Sequence, residues 1–151
     1  MKITPHFSLD ELTKSQTALR LGIDNAPGAG EVTNLKLLSE SILEPIRVFF
    51  QIPFSPSSAF RAKTLNRAIG SSDASQHIVG QAVDFEIPTI PNPTLALWIK
   101  DNLVFDQLIL EYFDHELGPN SGWVHASFKS SSNRGDILTI NSKGTFPGLY
   151  F

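Results

Sequence analysis

The chain has 151 residues, room for one domain and little more. Hydrophobic residues make up 41% of it and charged residues 18%, a balance that argues against a disordered or fibrous protein. A net charge of -3 without a basic run argues against nucleic acid or anionic membrane as the main partner, and the absence of cysteine excludes disulfides, thiolate metal sites and cysteine nucleophiles.

In chain order, Ser8 followed three residues later by Glu11 is a capping box that opens a short helix through Leu12. Gly22 closes the amphipathic stretch after Leu19 and Leu21, and Asn25 to Gly30 has the composition of a loop. Leu35, Leu38, Ile42, Ile46 and Phe49 recur at steps of three and four, which predicts a long helix kinked or split near Pro45. Phe54 to Phe60 reads as a short extended segment, and Lys63 to Ile69 as a helix stopped by Gly70. Alternation from Ala82 to Ile87 predicts a strand, and Thr94 is the expected cap of a helix carrying Leu95 to Leu103. Gln107 to Tyr112, Trp123 to Phe128 and Ile137 to Ile140 read as three more strands. No internal repeat or low-complexity tract interrupts this order. Helices followed by strands predict a single α+β domain, with an antiparallel sheet of about four strands and helices packed on one face.

The segment Ser75-Gln76-His77-Ile78-Val79-Gly80-Gln81-Ala82-Val83-Asp84 concentrates the chemistry. His77 and Asp84 flank a turn at Gly80, where glycine lets the chain fold back and bring both side chains to one ion. On the strand, Asp84 and Glu86 share one face, and Val83, Phe85 and Ile87 share the other. In the third strand Trp123, His125 and Ser127 point one way and Val124, Ala126 and Phe128 the other. His77, Asp84 and His125 would then hold one metal ion, zinc by their chemistry. Three protein ligands leave a position open for water, whose pKa the ion would lower.

Ser75 to Asp84 matches the Ser-x-His-x-x-Gly-x-Ala-x-Asp signature of the zinc D-Ala-D-Ala carboxypeptidase and L-alanyl-D-glutamate endopeptidase superfamily. Trp123-Val124-His125 resembles its second metal motif. Ser57 to Arg61 followed by Leu65-Asn66 is similar to its Ser-Gly-Tyr-Arg segment and the helix after it. His6 to Leu12 and Ile42 to Arg47 resemble the phage-type branch. The resemblance extends to about Ile140 and implies the DD-peptidase or hedgehog-like zinc fold, with one Zn2+ on His77, Asp84 and His125. It also implies that Arg61 binds a carboxylate or carbonyl of a peptidoglycan stem peptide and that Ser75 lies close to the site. Trp123 is expected as a wall of the substrate cleft.

Many members of that superfamily carry an acidic general base three positions before the last histidine, where this chain has Gly122. Glu111, on the second strand with Gln107 and Ile109 on its face, is the expected replacement. Asp114, His115 and Glu116 are weaker candidates in the next loop. The expected function is zinc-dependent hydrolysis of an amide bond in peptidoglycan stem peptides, by a phage or prophage lysin. The alternative is a zinc-binding module of the same fold without turnover, with a phage structural or wall-binding role. Met1 to His6 contains no apolar stretch of signal-peptide length, and no apolar run could span a bilayer. The chain is therefore expected to be made in the bacterial cytoplasm and to reach the wall by holin-type release or as part of a virion. A monomer is expected, with a virion assembly the other partner to consider. The apolar tail from Phe146 to Phe151 is expected either to pack back on the domain or to meet a partner.

Overall fold

A computed structural model describes residues 1–151. The Ser8 capping box forms: Glu11 N–H donates to Ser8 Oγ and Ser8 N–H to Glu11 Oε1, opening helix α1 (Leu9–Thr13). Helix α2 (Gln16–Leu21) ends at Gly22 in the left-handed conformation. It buries Ala18, while Leu19 and Leu21 are exposed. The long periodic stretch becomes α3 (Ala29–Leu38), a π-helical segment (Ser39–Leu43) and α4 (Glu44–Phe50). Pro45 brings no N–H to the helix, and the strain expected there is absorbed by the wider π turn just before it. Glu44 N–H reaches back five residues to Ser39 O.

Helix α5 (Lys63–Ala68) follows, then a 3-10 turn (Gln76–Val79), strand β1 (Ala82–Phe85) and helix α6 (Asn92–Asn102). Helix α6 starts two residues before the expected Thr94 cap, because Pro93 is tolerated in a first turn, where its missing N–H has no intrahelical role. Strands β2 (Gln107–Glu111), β3 (Trp123–Ser127), β4 (Asp136–Asn141) and β5 (Gly144–Pro147) complete the molecule. Phe54 to Phe60 forms no strand; Ser58 makes a single antiparallel bridge to Asp84 along the outer edge of β1.

The sheet has five strands in the order β1-β3-β2-β4-β5. It is mixed rather than antiparallel throughout, since β4 runs parallel to β2. The chain leaves β3, crosses the end of β2 through the loop after Ser127, and returns on its far side. Buried Asp106 anchors that crossing, accepting hydrogen bonds from the Arg134 backbone N–H, Nε and Nη2. Strand β5 and the tail pack back on β4: Gly148 N–H donates to Ile137 O, and Tyr150 N–H to Thr139 Oγ1.

Val83, Phe85, Leu108, Leu110, Val124 and Ala126 face Leu35, Leu38, Ile42, Ile46, Leu95 and Ile99 in one core. The helices therefore cover one face of β1, β3 and β2, and the opposite face is free to form a cleft. No helix is long and apolar enough to cross a membrane.

Candidate metal centre

The strand register builds the site. Asp84 of β1 pairs with His125 of β3, and His125 in turn with Ile109 of β2. One step along, Glu111 pairs with Trp123. Because these rows lie on the uncovered face, their side chains enter a cleft of about 840 Å3, which is also lined by Arg61, Ser75 and His77. All seven residues expected from the sequence are brought together there. Asp114, His115 and Glu116 are not among its walls.

His77 arrives from the 3-10 turn. Ser75 caps that turn by accepting the His77 N–H on its Oγ, so its hydroxyl oxygen is used to orient the ligand backbone. The turn closes at Gly80, with φ of 74°. A Cβ there would stand 2.7 Å from the backbone oxygen of Glu31 in α3, so glycine serves close packing as well as the turn. His77 Nδ1 lies 2.6 Å from the carbonyl of Ala59. A carbonyl can only accept, so Nδ1 carries the proton and the Nε2 lone pair faces the cleft.

His77 Nε2 is 3.3 Å from Asp84 Oδ2, and His125 Nδ1 is 2.9 Å from Asp84 Oδ1. One ligand atom from each residue lies within 4.8 Å of the others. Four-coordinate zinc with bonds of ~2.0–2.1 Å places neighbouring ligand atoms about 3.3 Å apart, so two imidazoles and a carboxylate at this spacing fit that ion. The backbone of Asp84 is fixed independently: its N–H donates to Ser58 O at 2.7 Å, and its carbonyl accepts from Ser57 N–H. Burial alone would raise the Asp84 carboxyl, but the ring nitrogens of His125 and His77, close against its two oxygens, overcome it. The group is held well below the ordinary carboxylate range.

Glu111 behaves in the opposite way. Burial, reinforced by the Asp84 charge, raises its carboxyl, while His125, the Trp123 indole and Arg61 offset part of the rise. Trp123 Nε1 is buried and makes no hydrogen bond within normal limits, so its influence on Glu111 is that of a nearby donor dipole. Its ring packs against Tyr112, with centroids 5.5 Å apart. Arg61 is half-buried; burial lowers its guanidinium against the opposing charges of Asp84 and Glu111, and its Nε has no partner.

The backbone at Gly122 explains why this position, three residues before His125, carries no acidic side chain. Its φ is 67°, and a Cβ would run into the carbonyl oxygen of Glu111. A side chain cannot occupy that position while β2 and β3 pair as they do. Sequence reasoning missed the Ala59 carbonyl that orients His77, since a backbone acceptor leaves no side-chain signal. It also missed the contacts of Asn25, which hydrogen-bonds the Phe60 carbonyl and the Ala62 N–H on either side of Arg61 and read only as loop composition.

Comparison with curated proteins gives no match. A family model described as Peptidase M15 matches residues 5–116. The match takes in His77, Asp84, Arg61 and Glu111 and stops short of β3, so His125 joins the set through strand pairing alone. With most of the chain inside that match and the ligand cluster inside one cleft, the chain belongs to the Peptidase M15 family.

Proposed function

We propose that this chain is a zinc metallopeptidase that hydrolyses an amide bond in peptidoglycan stem peptides, of either the D-Ala-D-Ala carboxypeptidase or the L-Ala-D-Glu endopeptidase type. The observation that carries the reading is the convergence of His77, Asp84 and His125 in one cleft with a carboxylate, Glu111, whose burial raises its affinity for a proton. Zinc bound by the three ligands supplies a Lewis acid for the scissile carbonyl and a lowered pKa for water. Glu111 accepts the proton of the attacking water and returns it to the leaving amine, the work of a general base followed by a general acid. Arg61, which lines the cleft, holds a carboxylate or carbonyl of the peptide. Trp123 forms the wall beside Glu111.

The similarity of the N-terminal stretch to phage-type members supports a phage or prophage lysin, made in the bacterial cytoplasm and acting as a monomer after holin-type release or from a virion. A zinc-binding module without turnover is the second reading, and Gly122 is the observation that favours it. Glu111 in the cleft weighs against it.

The zinc-loaded protein should be incubated with defined muropeptides and the products read by mass spectrometry. New amine and carboxyl ends are expected. Stoichiometric zinc with no new ends would overturn the peptidase reading in favour of the second one.

A further inference from the structure

Residues 59 to 62, which carry Arg61, belong to no helix or strand, so their conformation is set by bonds to other parts of the chain. On one side the metal ligand holds them. His77 Nδ1 donates to the Ala59 carbonyl at 2.6 Å, and Arg61 N–H donates to the His77 carbonyl at 3.1 Å. On the other side is Asn25. Its Nδ2 donates to the Phe60 carbonyl at 3.2 Å and to the Thr13 carbonyl at 2.8 Å, and its Oδ1 accepts the Ala62 N–H at 2.7 Å. One amide side chain thus takes the carbonyl before Arg61 and the N–H after it, and ties both to the end of α1.

The head group of Arg61 gives it no such anchor. Its Nε is buried without a partner, and its guanidinium forms no ion pair within bonding distance. The direction in which it enters the cleft must therefore come from the backbone. Only a side chain with an acceptor and two donors on one planar group can make all three of the Asn25 bonds. An aspartate there would set a carboxylate against two carbonyl oxygens.

We infer that Asn25 is a positioning residue for substrate binding: by bracketing the backbone on both sides of Arg61 it aims the guanidinium into the metal cleft. The inference rests on the reading of Arg61 as the group that holds the peptide. It also gives the N-terminal helical segment a part in the site, as the support to which that bracket is fixed.

A double-mutant cycle on a defined muropeptide separates positioning from mere stabilisation. Asn25→Ala is expected to raise KM and lower kcat/KM by roughly tenfold to a hundredfold, the scale of a small misplacement of a binding group. Zinc stoichiometry should stay at the wild-type value, because both His77 contacts remain. In an Arg61→Ala background the same change should alter kcat/KM by less than about twofold, since the group being aimed is gone. Asn25→Asp, which keeps the acceptor for Ala62 and loses the donors, should repeat the pattern if the alanine variant folds poorly. An equal loss in both backgrounds, or no loss in the wild-type background, overturns the positioning role and leaves Arg61 as the anchor. If Arg61→Ala alone keeps wild-type kcat/KM, or the wild type cleaves nothing, the underlying reading fails and takes the inference with it.

Discussion

Replacing Glu111 with Gln removes a charge and keeps the shape, so it isolates proton transfer from packing. The expected result is a fall in kcat of about 10²–10⁴, with zinc retained by elemental analysis. A loss under about tenfold would move the proton to another group. The position of this proposed base reflects a contact that is not local in sequence. Gly122 lies against the Glu111 carbonyl, which closes position 122 to any side chain, while Glu111 reaches the cleft from β2 at the register that pairs it with Trp123. Alternation along Gln107 to Glu111 was enough to place Glu111 on the metal face, and the spacing of His77 and Asp84 around Gly80 was enough to pair them. The constraint at Gly122 and the bracket at Asn25 left no pattern to read, because both are made by residues far apart in the chain. Single residues with local geometry were legible; those defined by a distant backbone group were not.

Helix and strand contacts decide how firmly those residues are held. Gly80 is where the turn bearing His77 meets α3, and a methyl group there would meet both the Glu31 carbonyl at 2.7 Å and a left-handed backbone. Gly80→Ala is expected to cost on the order of 1–3 kcal/mol, measured by denaturant unfolding, and to weaken zinc binding by shifting His77. Unchanged stability would mean that α3 yields without strain. At the opposite end of the cleft Asp106 holds the crossing from β3 to β4, and the hydrogen bond from Arg134, against the opposing effect of burial, keeps its carboxyl well below the ordinary range. A carboxyl lowered in the folded state contributes stability that is complete above its unfolded value, about 3.9, and is lost as pH falls toward the folded one. The gap in Tm between wild type and Asp106→Asn should therefore be widest near neutral pH and close progressively below about pH 4. A gap independent of pH would remove the charge from the argument. The same crossing shows what strand patterns leave out. Alternation fixes which face a residue takes but not the direction of its neighbour, so the parallel pairing of β2 with β4 was not legible. Strand β5, with no buried residue between Gly144 and Pro147, carried no buried alternation.

At the scale of the molecule, the two faces of the sheet do separate work. The core of 20 buried residues contains none of His77, Asp84, His125, Arg61 or Glu111, and the helices pack on the face away from the cleft. The candidate metal ligands are placed by contacts that need no ion: His77 by the Ala59 carbonyl, Asp84 by Ser57 and Ser58, and His125 by pairing with β1 and β2. This is a preformed site on a finished fold, unlike small domains in which metal binding and folding are a single event. Zinc should then stabilise by mass action alone. At a free concentration about a thousand times its Kd the gain is about 4 kcal/mol. In a domain of this size that is a rise in Tm on the order of 10 °C. Chelation is expected to reverse the rise while leaving the far-UV circular dichroism at 25 °C unchanged. His77→Ala should keep that spectrum, melt like the chelated wild type and gain nothing from added zinc. Loss of secondary structure on chelation would make the ion part of the folding core. Zinc-dependent stabilisation that persists in His77→Ala would place the ion elsewhere. Neither outcome is expected, since Asp84 and His125 sit across the sheet from the core and His77 reaches the same cleft from a turn already held by the Ala59 carbonyl.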